Sequence, residues 1–266
     1  FAVGPEGSRH LVFAWWHSTT LPELLRVNDA DEDELYSAMD WLLERQERIE
    51  QTLAARHLKQ EGMVLYDPSS SCFEGTTYPP AAFGHSRDGK KGKLQASFGM
   101  VTDERGRPVA VSVFEGNTSD GTTLVPQVMK AKQRFALKSF VLVGDRGVIS
   151  QKLIDEHLRE QKGVDWISAL TSEAIGALVE NKHLQLGLFD KKNLFELTSP
   201  DYPGERLVAR RKVAAEAALD GVYVVRTSIA RQRMSAEDTV RSYNSFCQME
   251  QAFRSMKQVD LKVRPI

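Results

Sequence analysis

Ser139-Phe140-Val141-Leu142-Val143-Gly144-Asp145-Arg146-Gly147 sets a short apolar run against a glycine and an acidic turn. A continuous run of this kind suits a strand buried on both faces, and it places Asp145 at that strand's C-terminal end. Reading outward toward the N-terminus, Thr123 to Phe135 is amphipathic, with Leu124, Val128 and Phe135 on one side. Before it, Leu94 to Val101 and Pro108 to Phe114 read as strands joined by the turn Thr102 to Arg107. Met63-Val64-Leu65-Tyr66 reads as a further strand, ending at Asp67-Pro68 and followed by a polar loop, Ser69 to Ser71. Outward in the other direction, Ser150 is placed to cap a helix through Gln161 that carries Leu153, Ile154 and Leu158, and Asp165 to Leu170 is a fifth strand.

Three strands, helix, strand, helix, strand is the order of the ribonuclease H-like fold, an α/β architecture in which an antiparallel meander feeds a parallel half. The pattern breaks between Thr171 and Asp220, where Asn193 to Leu197 and Arg206 to Ala209 look like short strands. This predicts a partly β insertion subdomain at 172–220, with the core, a mixed sheet with flanking helices, split between 61–171 and 221–266. Gly221 to Thr227 returns to a strand. Residues 1–60 form a helical N-terminal region, with two helices expected between Thr20 and His57 and a polar break at Asn28 to Asp33. The chain starts at Phe1 and stops at Ile266 without a polar tail, and so reads as a fragment whose N-terminal region is incomplete.

Across 266 residues the hydrophobic fraction is 41% and the charged fraction 27%, which fits a soluble globular chain. Formal net charge is −1, so any surface for nucleic acid must be local. Neither a leader nor an apolar run of membrane-spanning length is present, which points to the cytoplasm and away from membranes. The two cysteines, Cys72 and Cys247, read as reduced thiols.

Ser242 to Lys257 reads as one helix, and steps of seven residues put Tyr243, Glu250 and Lys257 along one side. Phe246, Cys247, Phe253 and Arg254 lie three or four positions from Glu250 and flank it. Asp67 and Asp145 close strands that are neighbours at the centre of such a sheet, so their ends converge, and the helical Glu250 can reach the same point. Three carboxylates about 5 Å apart repel by roughly 3 kcal/mol per pair at an effective dielectric near 20, so they need a cation. Oxygen ligands with open positions suit Mg²⁺ or Mn²⁺, and two such ions serve phosphoryl transfer on nucleic acid. Taken singly, each residue has a bland reading as a turn or surface group; the conjunction carries the argument.

The chain resembles the DDE transposases of bacterial insertion sequences, in the branch with a Tyr…Glu…Lys helix and a β insertion. The matching pieces run in family order from Leu65-Tyr66-Asp67 through Gly84-His85-Ser86-Arg87-Asp88, Phe114-Glu115-Gly116-Asn117-Thr118-Ser119-Asp120 and Gly144-Asp145-Arg146-Gly147 to Tyr243…Glu250-Gln251-Ala252-Phe253-Arg254-Ser255-Met256-Lys257. The resemblance implies that Asp67, Asp145 and Glu250 hold the metal ions. It implies that Tyr243 and Lys257 contact phosphates of the element end, with Arg254 and Arg146 as further candidates. It also implies double-stranded DNA partners, both element ends and target, and a homodimer in a synaptic complex at the nucleoid. The chemistry implied is DNA cleavage at element ends and joining of the 3′-hydroxyl to target DNA. One departure is that Phe246 stands where the branch often carries Arg three residues after the Tyr.

Other readings stay open. A truncated, inactive transposase could bind DNA or pair with an intact copy and inhibit it, and a host ribonuclease H-like nuclease would cleave without joining. Lys90, Lys91 and Lys93 could meet the DNA backbone or line a solvated loop. Asn117 and Asp120 could shape a loop near the metals, His85 could orient a phosphate or hold its loop, and Tyr202 could stack on a base. Trp166 reads as core.

Overall fold

The computed structural model describes residues 18, 20–27, 31–73, 77–84, 92–185, 187, 189, 192–211 and 222–255. Nine strands join in one sheet: β1 Met63–Phe73, β2 Ala82–Phe83, β3 Leu94–Asp103, β4 Pro108–Glu115, β5 Phe140–Val143, β6 Val164–Ala169, β7 Leu194–Leu197, β8 Arg206–Arg211 and β9 Val222–Thr227. From the β4 side the order is β4-β3-β1-β5-β6-β9-β8-β7, with β2 also paired to β3. Strands β1, β5 and β6 are mutually parallel, and the other pairs are antiparallel. The run β4-β3-β1-β5-β6 is the ribonuclease H-like arrangement. The short strands expected after Thr171 form as β7 and β8, and through β9 they continue the main sheet.

The helices are α1 Leu21–Leu25, α2 Glu32–Glu44, α3 Gln46–His57, α4 Asp120–Gln133, α5 spanning Gln151–Leu153 and a wider π turn Ile154–Leu158, α6 Ser172–Glu180, α7 Ala236–Asn244 and α8 Cys247–Arg254. Ser150 caps α5 as expected, its hydroxyl accepting the Leu153 N–H at 3.3 Å. One face of the sheet buries Tyr66, Leu142 and Trp166 beneath Leu124, Val128 and Ile154 of α4 and α5. The opposite face buries Leu65, Val143 and Ile167 beneath Val240, Met249 and Phe253 of α7 and α8.

Three expectations change. Among the described residues the span from Thr20 to His57 holds three helices instead of two, because the chain breaks again at Arg45. There the Arg45 N–H turns back to Leu42, and its guanidinium takes the Trp41 carbonyl at 3.0 Å. Strand β1 does not stop at Tyr66. Its ladder with β3 runs on to Phe73↔Leu94, so Ser69 to Ser71 are strand, and Asp67 lies within the strand instead of at its end. Ser70 and Cys72 are buried at 3% exposure each, and this packing overrides the loop preference of a serine run. Pro68 is tolerated in the ladder only with its nitrogen turned away from β3, toward the side where pairing with β5 has ended at Leu65.

The third change falls on the expected helix Ser242 to Lys257, which is broken at Ser245 and Phe246. The Ser245 hydroxyl donates to the Ser242 carbonyl at 2.7 Å, and the N–H groups of Phe246, Gln248 and Met249 each bond three residues back. A serine competing for a helix carbonyl tightens the turn in this way.

Candidate active site

The parallel register of β1 and β5 pairs Leu65 with Val143. Side chains alternate along a strand, so Asp67, two residues past this last pair on β1, falls on the face of that buried pair, and Asp145, just past the end of β5, lines the same pocket. Gly144, between Val143 and Asp145, lies tight against Ile149, where an added Cβ would sit 3.0 Å from the isoleucine side chain. That face is the one covered by α7 and α8. Between the sheet and these helices opens a pocket of about 350 Å³, lined by Asp67, Asp145, Tyr243, Asn244, Phe246, Cys247 and Glu250.

The two aspartates are half-buried, whereas Glu250 is exposed. The Tyr243 hydroxyl donates to Asp145 Oδ1 at 3.2 Å. Its phenol is held well above the ordinary value, first by burial, then by the negative charge of Asp145 and the hydrogen bond to it, with Arg146 pulling the other way and Glu250 adding to the rise. The Tyr243 ring stacks on Phe246, with centroids 6.5 Å apart and planes 5° from parallel. Phe246 is 7% exposed and belongs to the core under α7 and α8.

The donor set of the pocket is three carboxylates, with one exposed thiol, Cys247, beside them. Hard oxygen donors in this number fit Mg²⁺ or Mn²⁺. Among the described residues no three Asp, Glu, His or Cys side chains close into a tight cage, as Glu250 remains exposed across the pocket from the aspartates.

Of the expected DNA contacts, Tyr243 faces Asp145, while Arg146 and Arg254 are exposed and do not line the pocket. Lys90, Lys91, Lys257 and His85 lie outside the described residues. Asn117 and Asp120 line a separate cavity of about 870 Å³ at the start of α4. Trp166 is core at 5% exposure, and Tyr202 lies half-buried under the Arg226 guanidinium, 4.9 Å from its ring. Asn244 and Cys247 were not foreseen in the pocket, although Cys247 lies one helical turn before Glu250.

Among the described residues no helix is long and apolar enough to cross a membrane. Residues 66–264 match the family model described as the transposase DDE domain. A comparison with curated protein sequences finds no match. Among solved structures, the chain is similar to the piggyBac transposase in its synaptic complex with hairpin DNA, at 13% identity over 76% of this chain and 41% of that one, with a TM-score of 0.48. It is also similar to the Mos1 transposase in its paired-end complex with the left transposon end, at 9% identity over 62% of this chain and 59% of that one, with a TM-score of 0.27. The chain thus spans less than two thirds of either neighbour.

Proposed function

Because the chain belongs to the family of transposase DDE domains, we propose that it is a transposase that cuts DNA at the ends of an insertion sequence and joins the freed 3′-hydroxyl to target DNA. The observation that supports this reading is that Asp67, Asp145 and Glu250 line one pocket. In this reading Asp67, Asp145 and Glu250 hold one or two Mg²⁺ or Mn²⁺ ions. The bound metal supplies charge neutralisation at the phosphodiester and a more acidic attacking water or hydroxyl. Asp67 and Asp145 would hold the metal from the sheet side, and Glu250 from the helix side. Phe246, buried yet lining the pocket, gives it an apolar wall that excludes water and strengthens the electrostatics of the site.

DNA partners, both ends and target, follow from this chemistry, and two copies acting together at paired ends are part of the proposal. Arg146 and Arg254, both exposed near the pocket, and Lys90, Lys91 and Lys257 are proposed to meet the phosphate backbone, each adding salt-dependent affinity without sequence information. An inactive pairing partner would have no need of three carboxylates on one pocket. Asp145→Asn is the test: Mg²⁺-dependent cleavage of a duplex carrying the element's terminal repeat is expected to disappear while binding to that duplex persists. Cleavage that survives the substitution refutes the assignment.

A further inference from the structure

Phe246 and Tyr243 together do something that neither the pocket nor the family resemblance assigns. Phe246 stands where a phosphate-binding arginine is expected, and it is turned into the core at 7% exposure. It lies parallel to the Tyr243 ring, and both residues belong to the apolar cluster beneath α7 and α8. The break at Ser245 makes this possible. A regular helix sets residues three apart 300° around its axis, whereas the tightened turn brings them nearly over one another. The Phe246 N–H to Tyr243 carbonyl bond at 3.0 Å closes that turn. With its ring held on one side by Phe246, the Tyr243 hydroxyl is aimed at Asp145 Oδ1, 3.2 Å away.

We propose that Tyr243, held by Phe246, is a positioning residue for Asp145, fixing the carboxylate so that its second oxygen is presented to the metal, and that it is not a contact for a DNA phosphate. This rests on the reading of Asp145 as a metal ligand. A phenol donating to one carboxylate oxygen fixes the rotation of the group about its last bond, as partners behind metal ligands do. A phenol has one proton to donate, and here it is committed to the Asp145 carboxylate instead of a phosphate.

Two readouts on the same protein separate the possibilities: Mn²⁺ binding by titration calorimetry, and binding of a fluorescein-labelled 30-base-pair duplex by anisotropy across a salt series. Tyr243→Phe keeps the ring and its stacking while removing the hydroxyl. It is expected to weaken Mn²⁺ binding about tenfold and to leave both duplex affinity and its salt slope unchanged. A phosphate contact gives the reverse, with unchanged Mn²⁺ binding, weaker duplex binding and a salt slope lower by about one; that result overturns the proposal. Phe246→Leu keeps apolar volume but removes the stacking partner, and is expected to weaken Mn²⁺ binding severalfold, less than Tyr243→Phe does. If Tyr243→Phe fails to fold, Phe246→Leu carries the test alone, and unchanged Mn²⁺ binding in the folded variant overturns the proposal. Asp145→Asn is the reference. If it leaves Mn²⁺ binding intact, the metal reading itself falls; if it removes binding while Tyr243→Phe does not, only the positioning role falls.

Discussion

Glu205 and Asp145 are acidic residues of one sheet with opposite surroundings. The Glu205 side chain is fully buried and answered by donors on every side. Arg226 reaches it through two nitrogens at 2.7 and 2.6 Å, Arg159 lies at 3.3 Å, and the Trp166 indole N–H donates at 3.3 Å. Among the described residues neither Asp145 nor Glu250 has an ion pair, and the partner shown for Asp145 is the neutral hydroxyl of Tyr243. The same chain surrounds one carboxylate with two guanidiniums and an indole, while two others face a pocket with no ion pair among the described residues. Structural charge is neutralised from within; in the proposed reading the charge in the pocket is neutralised by the metal.

That difference is broken most severely from the structural side. Arg226→Ala leaves Glu205 buried with only the more exposed Arg159 and the neutral Trp166 indole beside it, and is expected to cost about 3–5 kcal/mol of stability. For a domain of ordinary marginal stability this is a large fraction of the whole, so thermal unfolding should shift far downward. Asp145→Asn is the mirror case. Relieving repulsion near Asp67 should leave the melting temperature unchanged or raised, while the chemistry loses the several kcal/mol that metal coordination supplies, at least a hundredfold in cleavage rate. If Asp145→Asn lowers stability as Arg226→Ala does, the two carboxylates belong to one class and the contrast fails. Arg159→Ala is the finer probe: with Arg226 retained and Arg159 30% exposed at its side chain, the expected loss is about 1 kcal/mol.

What could be read from the chain before folding follows the same divide. The apolar runs at Met63 and Phe140 announce buried strands by themselves, and each carries its aspartate two residues past its last apolar side chain on the shared face, so two members of the site are local signals. Glu250 is legible because helical spacing relates it to Tyr243 and Phe253. The Glu205–Arg226 pair has no such mark. Its partners lie 21 residues apart, Glu205 just before β8 and Arg226 on the adjacent β9, and meet only through pairing that no local period encodes. The break at Ser245 was hidden because serine is tolerated in helices, and only the competition of its hydroxyl for the Ser242 carbonyl reveals the turn. Strand β1 was read short because a run of three serines looks like a loop until a ten-pair ladder with β3 holds it extended.

Asp103 lies between the two extremes and gives the smallest effect. It is 2% exposed at the end of β3 and accepts the N–H groups of Arg105 and Arg107 at 3.0 and 2.9 Å, with the Arg107 side chain donating to its other oxygen at 2.7 Å. Burial alone would raise its pKa, but the Arg107 side-chain bond, the two backbone bonds and the Arg107 charge together hold it below the usual carboxylate value. A carboxyl whose folded pKa is depressed binds fewer protons folded than unfolded. Its contribution is therefore present above the unfolded value, near pH 4, and fades as pH falls through the folded one. Arg107 is 47% exposed, and solvent screening keeps the expected contribution at about 1 kcal/mol. Melting wild type and Asp103→Asn side by side should show a gap at pH 7 that closes on acidification toward pH 2. A gap that persists there places the contribution in the turn's backbone geometry and removes Asp103 from the carboxylates neutralised by a partner.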